Sequence, residues 1–102
     1  MLEIRPNCEC CDKDLPPDST EAMICTYECT FCRPCVNDVL DNVCPNCGGG
    51  FAPRPVRPIT ARRPGLSIKH QPPSAKRVHT RYSRDAMKAF SATVTHIKPE
   101  KR

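Results

Sequence analysis

Cys29-Thr30-Phe31-Cys32-Arg33-Pro34-Cys35 and, nine residues after it, Cys44-Pro45-Asn46-Cys47 put five cysteines into nineteen positions. A gap of two residues lets both sulfurs close on one ion from a single tight turn, at sulfur–metal distances of roughly 2.3 Å. Outward from this stretch, Cys25 lies three residues before Cys29, and Cys8-x2-Cys11 stands near the N-terminus. Eight of the nine cysteines therefore form four pairs, Cys8/Cys11, Cys25/Cys29, Cys32/Cys35 and Cys44/Cys47. Two pairs complete a tetrahedral four-sulfur site, so the pattern predicts two metal sites, with Zn2+ as the ion, two per chain.

The gap between Cys29 and Cys32 is so short that the second and third pairs nearly merge. One compact site cannot take all four of those sulfurs without leaving the outer pairs without partners. The spacing thus favours an interleaved cross-brace, with Cys8, Cys11, Cys32 and Cys35 on one ion and Cys25, Cys29, Cys44 and Cys47 on the other. Cys10 is left over. It reads as a free thiol beside the first site, and exchange with Cys8 or Cys11 as a ligand stays open.

Other chemistries fit the cysteines less well. Disulfides would leave one thiol over, and Met1-Leu2-Glu3-Ile4-Arg5-Pro6 has no apolar run of a secretory signal. Reduced thiols in the cytoplasm suit metal binding better, and the cytoplasm is the expected location. Cys29, Cys32 and Cys35 match three ligands of a ferredoxin-type iron–sulfur run, but the fourth is missing. Mononuclear iron in a four-sulfur site, as in a rubredoxin-like electron carrier, satisfies the same geometry. Catalytic zinc keeps a position open for water and usually has histidine or carboxylate among its ligands. Here His70, His79 and His96 all lie outside the cysteine-rich half. The expectation is structural metal and no enzyme activity.

The two halves of the 102-residue chain differ in kind. Residues 1–51 carry three basic and nine acidic residues, net −6, whereas residues 52–102 carry thirteen and two, net +11. An apolar core is hard to build in so short an acidic head, and domains of this size usually need metals, disulfides or partners. Thr30-Phe31 and Met23-Ile24 read as strands of a hairpin through Thr26-Tyr27-Glu28. A short helix follows Cys32, since Pro34 suits a first turn and Val36, Val39, Leu40 and Val43 recur on one face. Leu2 and Ile4 alternate with polar neighbours as a short strand would.

From Phe51 to Pro73 six prolines alternate with arginines, a composition that predicts extended, hydrated backbone largely free of contact with the head. Ser83 is a candidate N-cap for a marginal amphipathic helix over residues 83–98 bearing Met87, Phe90, Val94 and Ile97. The expected organisation is a metal-binding domain at 1–51, a Pro/Arg-rich linker at 52–82, the helix at 83–98 and a short end at 99–102. The fold class is a small metal-stabilised α+β finger followed by a mostly disordered basic tail.

Cys29-Thr30-Phe31-Cys32-Arg33-Pro34-Cys35, a short helix and Cys44-Pro45-Asn46-Cys47 together resemble the second half of a RING finger. That resemblance covers residues 8–47 and implies a treble-clef, cross-braced fold. Leu2-Glu3-Ile4-Arg5-Pro6-Asn7-Cys8, Cys10-Cys11, Asp14-Leu15-Pro16-Pro17 and Cys44-Pro45-Asn46-Cys47-Gly48-Gly49 also make residues 1–58 similar to a small bacterial family of uncharacterised cysteine-rich proteins. A RING ubiquitin ligase has an aliphatic residue after its first cysteine and an arginine after its last, where this chain has Glu9 and Gly48.

These readings converge on a zinc-binding interaction module whose basic residues 53–102 engage something acidic: nucleic acid, another protein, or its own head. A RING-type ubiquitin-ligase-like adaptor and an iron-binding electron carrier are the alternatives. No small-molecule substrate is expected. No run approaches the length of a membrane span, so no membrane partner is expected either.

Overall fold

The computed structural model describes residues 1–102. Strand β1 (Ala22–Ile24) pairs antiparallel with β2 (Thr30–Cys32), with Met23 opposite Phe31. The hairpin turns through Cys25–Cys29, where the Cys25 amide donates to the Cys29 carbonyl at 3.2 Å and Glu28 takes the left-handed conformation at φ 65°. A two-residue strand, β3 (Ala52–Pro53), pairs with the other edge of β1, giving the order β2-β1-β3.

Directly after β2, Arg33–Cys35 forms one α-helical turn, α1, with Pro34 in its opening positions as expected. It continues as a π turn over Val36–Leu40, which Asp41 and Asn42 end in left-handed conformations at φ 49° and 59°. Val36, Val39, Leu40 and Val43 are all buried. Phe31 is fully enclosed and meets Phe51 edge to face, with ring centroids 5.4 Å apart. Half of the fourteen-residue core is cysteine: Cys8, Cys10, Cys25, Cys29, Cys32, Cys35 and Cys44. A core so rich in thiols has little apolar surface to stabilise it, and its cohesion depends on what the sulfurs hold.

The C-terminal half departs from the expectation of a mostly disordered tail free of the head. It has no regular secondary structure between Arg54 and Ser83, as extended Pro-rich backbone requires, but it is tied to the head along its length. The Arg54 amide donates to the Ala22 carbonyl at 2.9 Å, Ser74 to Ile4 at 2.9 Å and Thr80 to Glu9 at 2.8 Å. Asn7 clasps Val78, donating to its carbonyl at 2.9 Å and accepting from its amide at 3.3 Å. The physical reason lies in complementary deficits. Proline-rich backbone has few donors, while arginine forks supply several each, and the head's irregular N-terminal segment leaves carbonyls unpaired. Leu2 and Ile4 accordingly form no strand, and their carbonyls receive Arg57 at 2.6 Å and the Ser74 amide.

Helix α2 (Arg84–Val94) begins at Ser83, whose hydroxyl accepts from the Ala86 amide at 3.0 Å. It lays Met87 and Ser91 against the π turn, and Ser91 Oγ donates to the Leu40 carbonyl at 2.6 Å. A 3-10 turn at Pro99–Lys101 follows, and Arg102 donates to the carbonyls of Asn42 at 2.7 Å and Gly48 at 3.4 Å. The radius of gyration is 14.4 Å, against about 13 Å for a compact chain of this length and about 30 Å for an unfolded one. No helix is long and apolar enough to cross a membrane.

Candidate metal centres

Four cysteines from three separate places meet in the first group. Cys8 and Cys11 come from a turn closed by the Asp12 amide on the Cys8 carbonyl at 2.9 Å, with Asp12 left-handed at φ 62°. Cys32 comes from the end of β2 and Cys35 from the end of α1. Their four sulfurs lie within 4.8 Å of one another, close enough to share one ion. The Cys11 amide points at Cys8 Sγ, 3.5 Å away, an orientation that stabilises negative charge on sulfur.

The second group is built on a knuckle. Cys44 and Cys47 flank Pro45-Asn46, and the Gly48 amide closes the turn on the Cys44 carbonyl at 2.7 Å. Gly48 sits at φ 79°, a conformation open to glycine, and the Gly49 amide points at Cys47 Sγ at 3.4 Å. Cys25, from the end of β1, joins them, so that the sulfurs of Cys25, Cys44 and Cys47 lie within 4.8 Å of one another. Cys29, the remaining predicted ligand, stands outside this group of three but in hydrogen-bond reach of Cys44 and Cys25.

The connectivity is cross-brace-like, because the first pair meets the third and the second meets the fourth. Cys10 belongs to neither group. It is buried against Cys35.

Crowded thiols in a metal-free set resist ionising together. Burial pushes Cys25 and Cys32 up to about 11 and raises Cys35 further. The hydrogen bond from Cys44 holds Cys29 down at about 5, and the same bond, with burial, drives Cys44 up. Burial also raises Cys10. At Cys11 burial works against ionisation, but the Lys13 backbone and the thiols of Cys8, Cys32 and Cys35 outweigh it and lower the pKa. One thiolate per cluster is thus stabilised by protonated neighbours. A dication would replace those protons and let every sulfur ionise.

Glu9, between two of these cysteines in sequence, turns inward. Its carboxylate accepts from the Thr30 amide at 3.0 Å, from Asn46 Nδ2 at 3.2 Å and from Arg5 at 3.2 Å. Burial raises its pKa. It thereby bolts the Cys8–Cys11 turn to the start of β2 and to the Cys44–Cys47 knuckle. Sequence reasoning singled out Glu9 only as a departure from a ligase pattern and missed both this strut and Asn46. A charged residue set directly between two cysteines of the run is the signal that was there.

Residues 1–57 match the model of a family described as a protein of unknown function (DUF1272). The chain is also similar to an uncharacterized protein of Rhizobium meliloti (strain 1021), with 56% identity over 78 residues, covering 76% of this chain and 86% of that protein. That likeness necessarily extends into the C-terminal half. No solved structure matches the chain.

Proposed function

The chain belongs to the DUF1272 family of proteins of unknown function, and from the placement of its cysteines we propose that it is a two-zinc, non-catalytic interaction module whose C-terminal cations engage an acidic partner. The observation that carries this reading is the interleaving of the two cysteine groups, Cys8/Cys11/Cys32/Cys35 and Cys25/Cys44/Cys47. Cys29, whose thiol interacts with those of Cys44 and Cys25, serves as the fourth ligand of the second site. Four thiolates close each site and leave no position for a reacting water. Zinc then acts as a structural cross-link that stands in for the missing apolar core.

Elemental analysis and native mass spectrometry of freshly purified protein test the reading. Two zinc ions per chain and a colourless solution are expected. Chelation should abolish the folded spectrum, because structural zinc in thiolate sites contributes on the order of 10 kcal/mol or more at neutral pH. One metal per chain, or a folded metal-free protein, refutes it. A visible charge-transfer band from bound iron would assign electron transfer instead.

A further inference from the structure

The fold sorts the thirteen basic residues of the C-terminal half into two sets. Arg54, Arg57, Arg77 and Arg102 are spent on the head, on the carbonyls of Arg5, Leu15, Pro16, Leu2, Asn42 and Gly48 and on the carboxylates of Asp12 and Asp14. The other nine make no side-chain hydrogen bond or ion pair. Four of these, Lys76, Arg81, Arg84 and Lys88, are exposed within thirteen residues, opposed in that stretch by Asp85 alone. Among them stands Tyr82, 48% exposed, with His79 also facing solvent. The segment is held in place at both ends, by Arg77 on Asp12 and Asp14 and by Met87 in the core.

We propose that the exposed run from Lys76 to Lys88 binds single-stranded nucleic acid, its cations on successive phosphates and Tyr82 stacked on a base. This rests on the reading of the chain as a module for an acidic partner and names that partner. A protein interface needs a buried aliphatic or aromatic anchor in a pocket. Of the exposed apolar side chains, Val56, Ile59 and Leu66 belong to another stretch of the chain, and Phe90, 40% exposed, sets its ring tip against Gly48. A flat, half-exposed ring between cations is instead what base stacking uses, whatever the base. Beyond Arg84 in its first turn, the solvent side of α2 offers Lys88, Ala89 and Ala92 and no side-chain amide, a set suited to phosphates rather than to reading base edges, so recognition is of backbone and ring rather than of sequence.

The test is fluorescence anisotropy of the full zinc-loaded chain with labelled oligothymidylate and oligouridylate, each roughly 20 nucleotides, one arm for DNA and one for RNA. A dissociation constant of about 10⁻⁴ to 10⁻⁶ M near physiological salt is expected, with a log–log salt slope of about −3 from four phosphate contacts. The K76A/R81A/K88A variant should bring that slope to about −1. Tyr82→Ala should weaken binding about tenfold and leave the slope alone. Arg84 stays intact because it faces Cys10. Full binding by the triple variant, loss only in an R62A/R63A control, or equal affinity for duplex DNA overturns the assignment. So does absence of binding at about 20 mM salt by a sample shown to hold its metal. Metal content is measured on the same samples, so a chain that binds the oligonucleotide without two zinc ions would sink the metal reading alone.

Discussion

Replacing Arg54 by methionine tests whether the C-terminal half is part of the fold. The Arg54 side chain is 4% exposed and has no carboxylate partner. Its guanidinium donates to the carbonyls of Arg5 at 2.8 Å, Pro16 at 2.9 Å and Leu15 at 3.4 Å, and burial lowers its pKa. Methionine fills much of the same volume but leaves those carbonyls without donors. Each orphaned buried group costs about 1–3 kcal/mol. The longest of the three bonds contributes least, and removing a poorly solvated charge offsets part of the loss. The net cost should therefore be about 3 kcal/mol, a large share of the roughly 5–15 kcal/mol that holds a domain folded. Urea unfolding of the zinc-loaded protein should show a midpoint lower by about 2 M, for a slope of about 1.5 kcal/mol/M. Amide exchange locates the effect: the Ser74 and Thr80 amides, bonded to Ile4 and Glu9, should lose protection while metal content stays at two. A midpoint shift equivalent to less than about 0.5 kcal/mol, with those amides still protected, would refute the stapling argument.

Met87→Ala should undock α2, since Met87 is 2% exposed and packs in the core. The loss should be about 2–5 kcal/mol, read as exchange of the α2 amides with the metal retained. Metal uptake should depend steeply on pH. Burial holds Cys25 and Cys32 near 11 and Cys35 above an ordinary thiol, and the bond to Cys29 does the same for Cys44, so all four carry protons near neutrality in the metal-free chain. The metal-bound form holds fewer protons, so affinity rises with pH and falls on acidification. At least two such protons per group give about a hundredfold per pH unit below neutrality in a competition titration, and a flat profile would contradict the thiol protonation argued above.

The grouping of the cysteines, Cys29 apart, was legible because ligand spacing is local: two residues between sulfurs fix a turn, and the order of the pairs limits how turns combine. The hairpin through Cys25–Cys29 and the helical turn after Cys32 follow from the same short-range rules. The placement of residues 54–102 was not legible. It hangs on single long-range partners such as Asn7 with Val78 and Arg77 with Asp14. Composition marks an Arg/Pro segment as hydrated, but it does not say which head carbonyls lack donors. The charge asymmetry did point to the acidic head as one target of the tail, and Arg77 with Asp12 and Asp14 realises that part. Glu9 was hidden for a related reason, because a carboxylate's worth inside a core depends on donors from β2 and the Asn46 knuckle, which lie far away in sequence.

The interleaving also explains why so little apolar surface suffices. Cys25 directly follows β1 and belongs to the second group, while Cys32 ends β2 and belongs to the first, so the two groups grip opposite strands of one hairpin. A metal lost from either group would free an end of the same three-residue pairing, and Glu9 couples the remaining turn to the Asn46 knuckle. The tail docks on groups that lie beside both cysteine clusters. Thr80 reaches the Glu9 carbonyl beside the first, Arg102 reaches Gly48 beside the second, and Ser91 reaches Leu40 between them. If both clusters bind metal as proposed, tail order should follow metal order, and chelation should expose the Ser74 and Thr80 amides to exchange. The exposed cations from Lys76 to Lys88 would then be a fixed array on the metal-loaded head and loose charges on a chelated one.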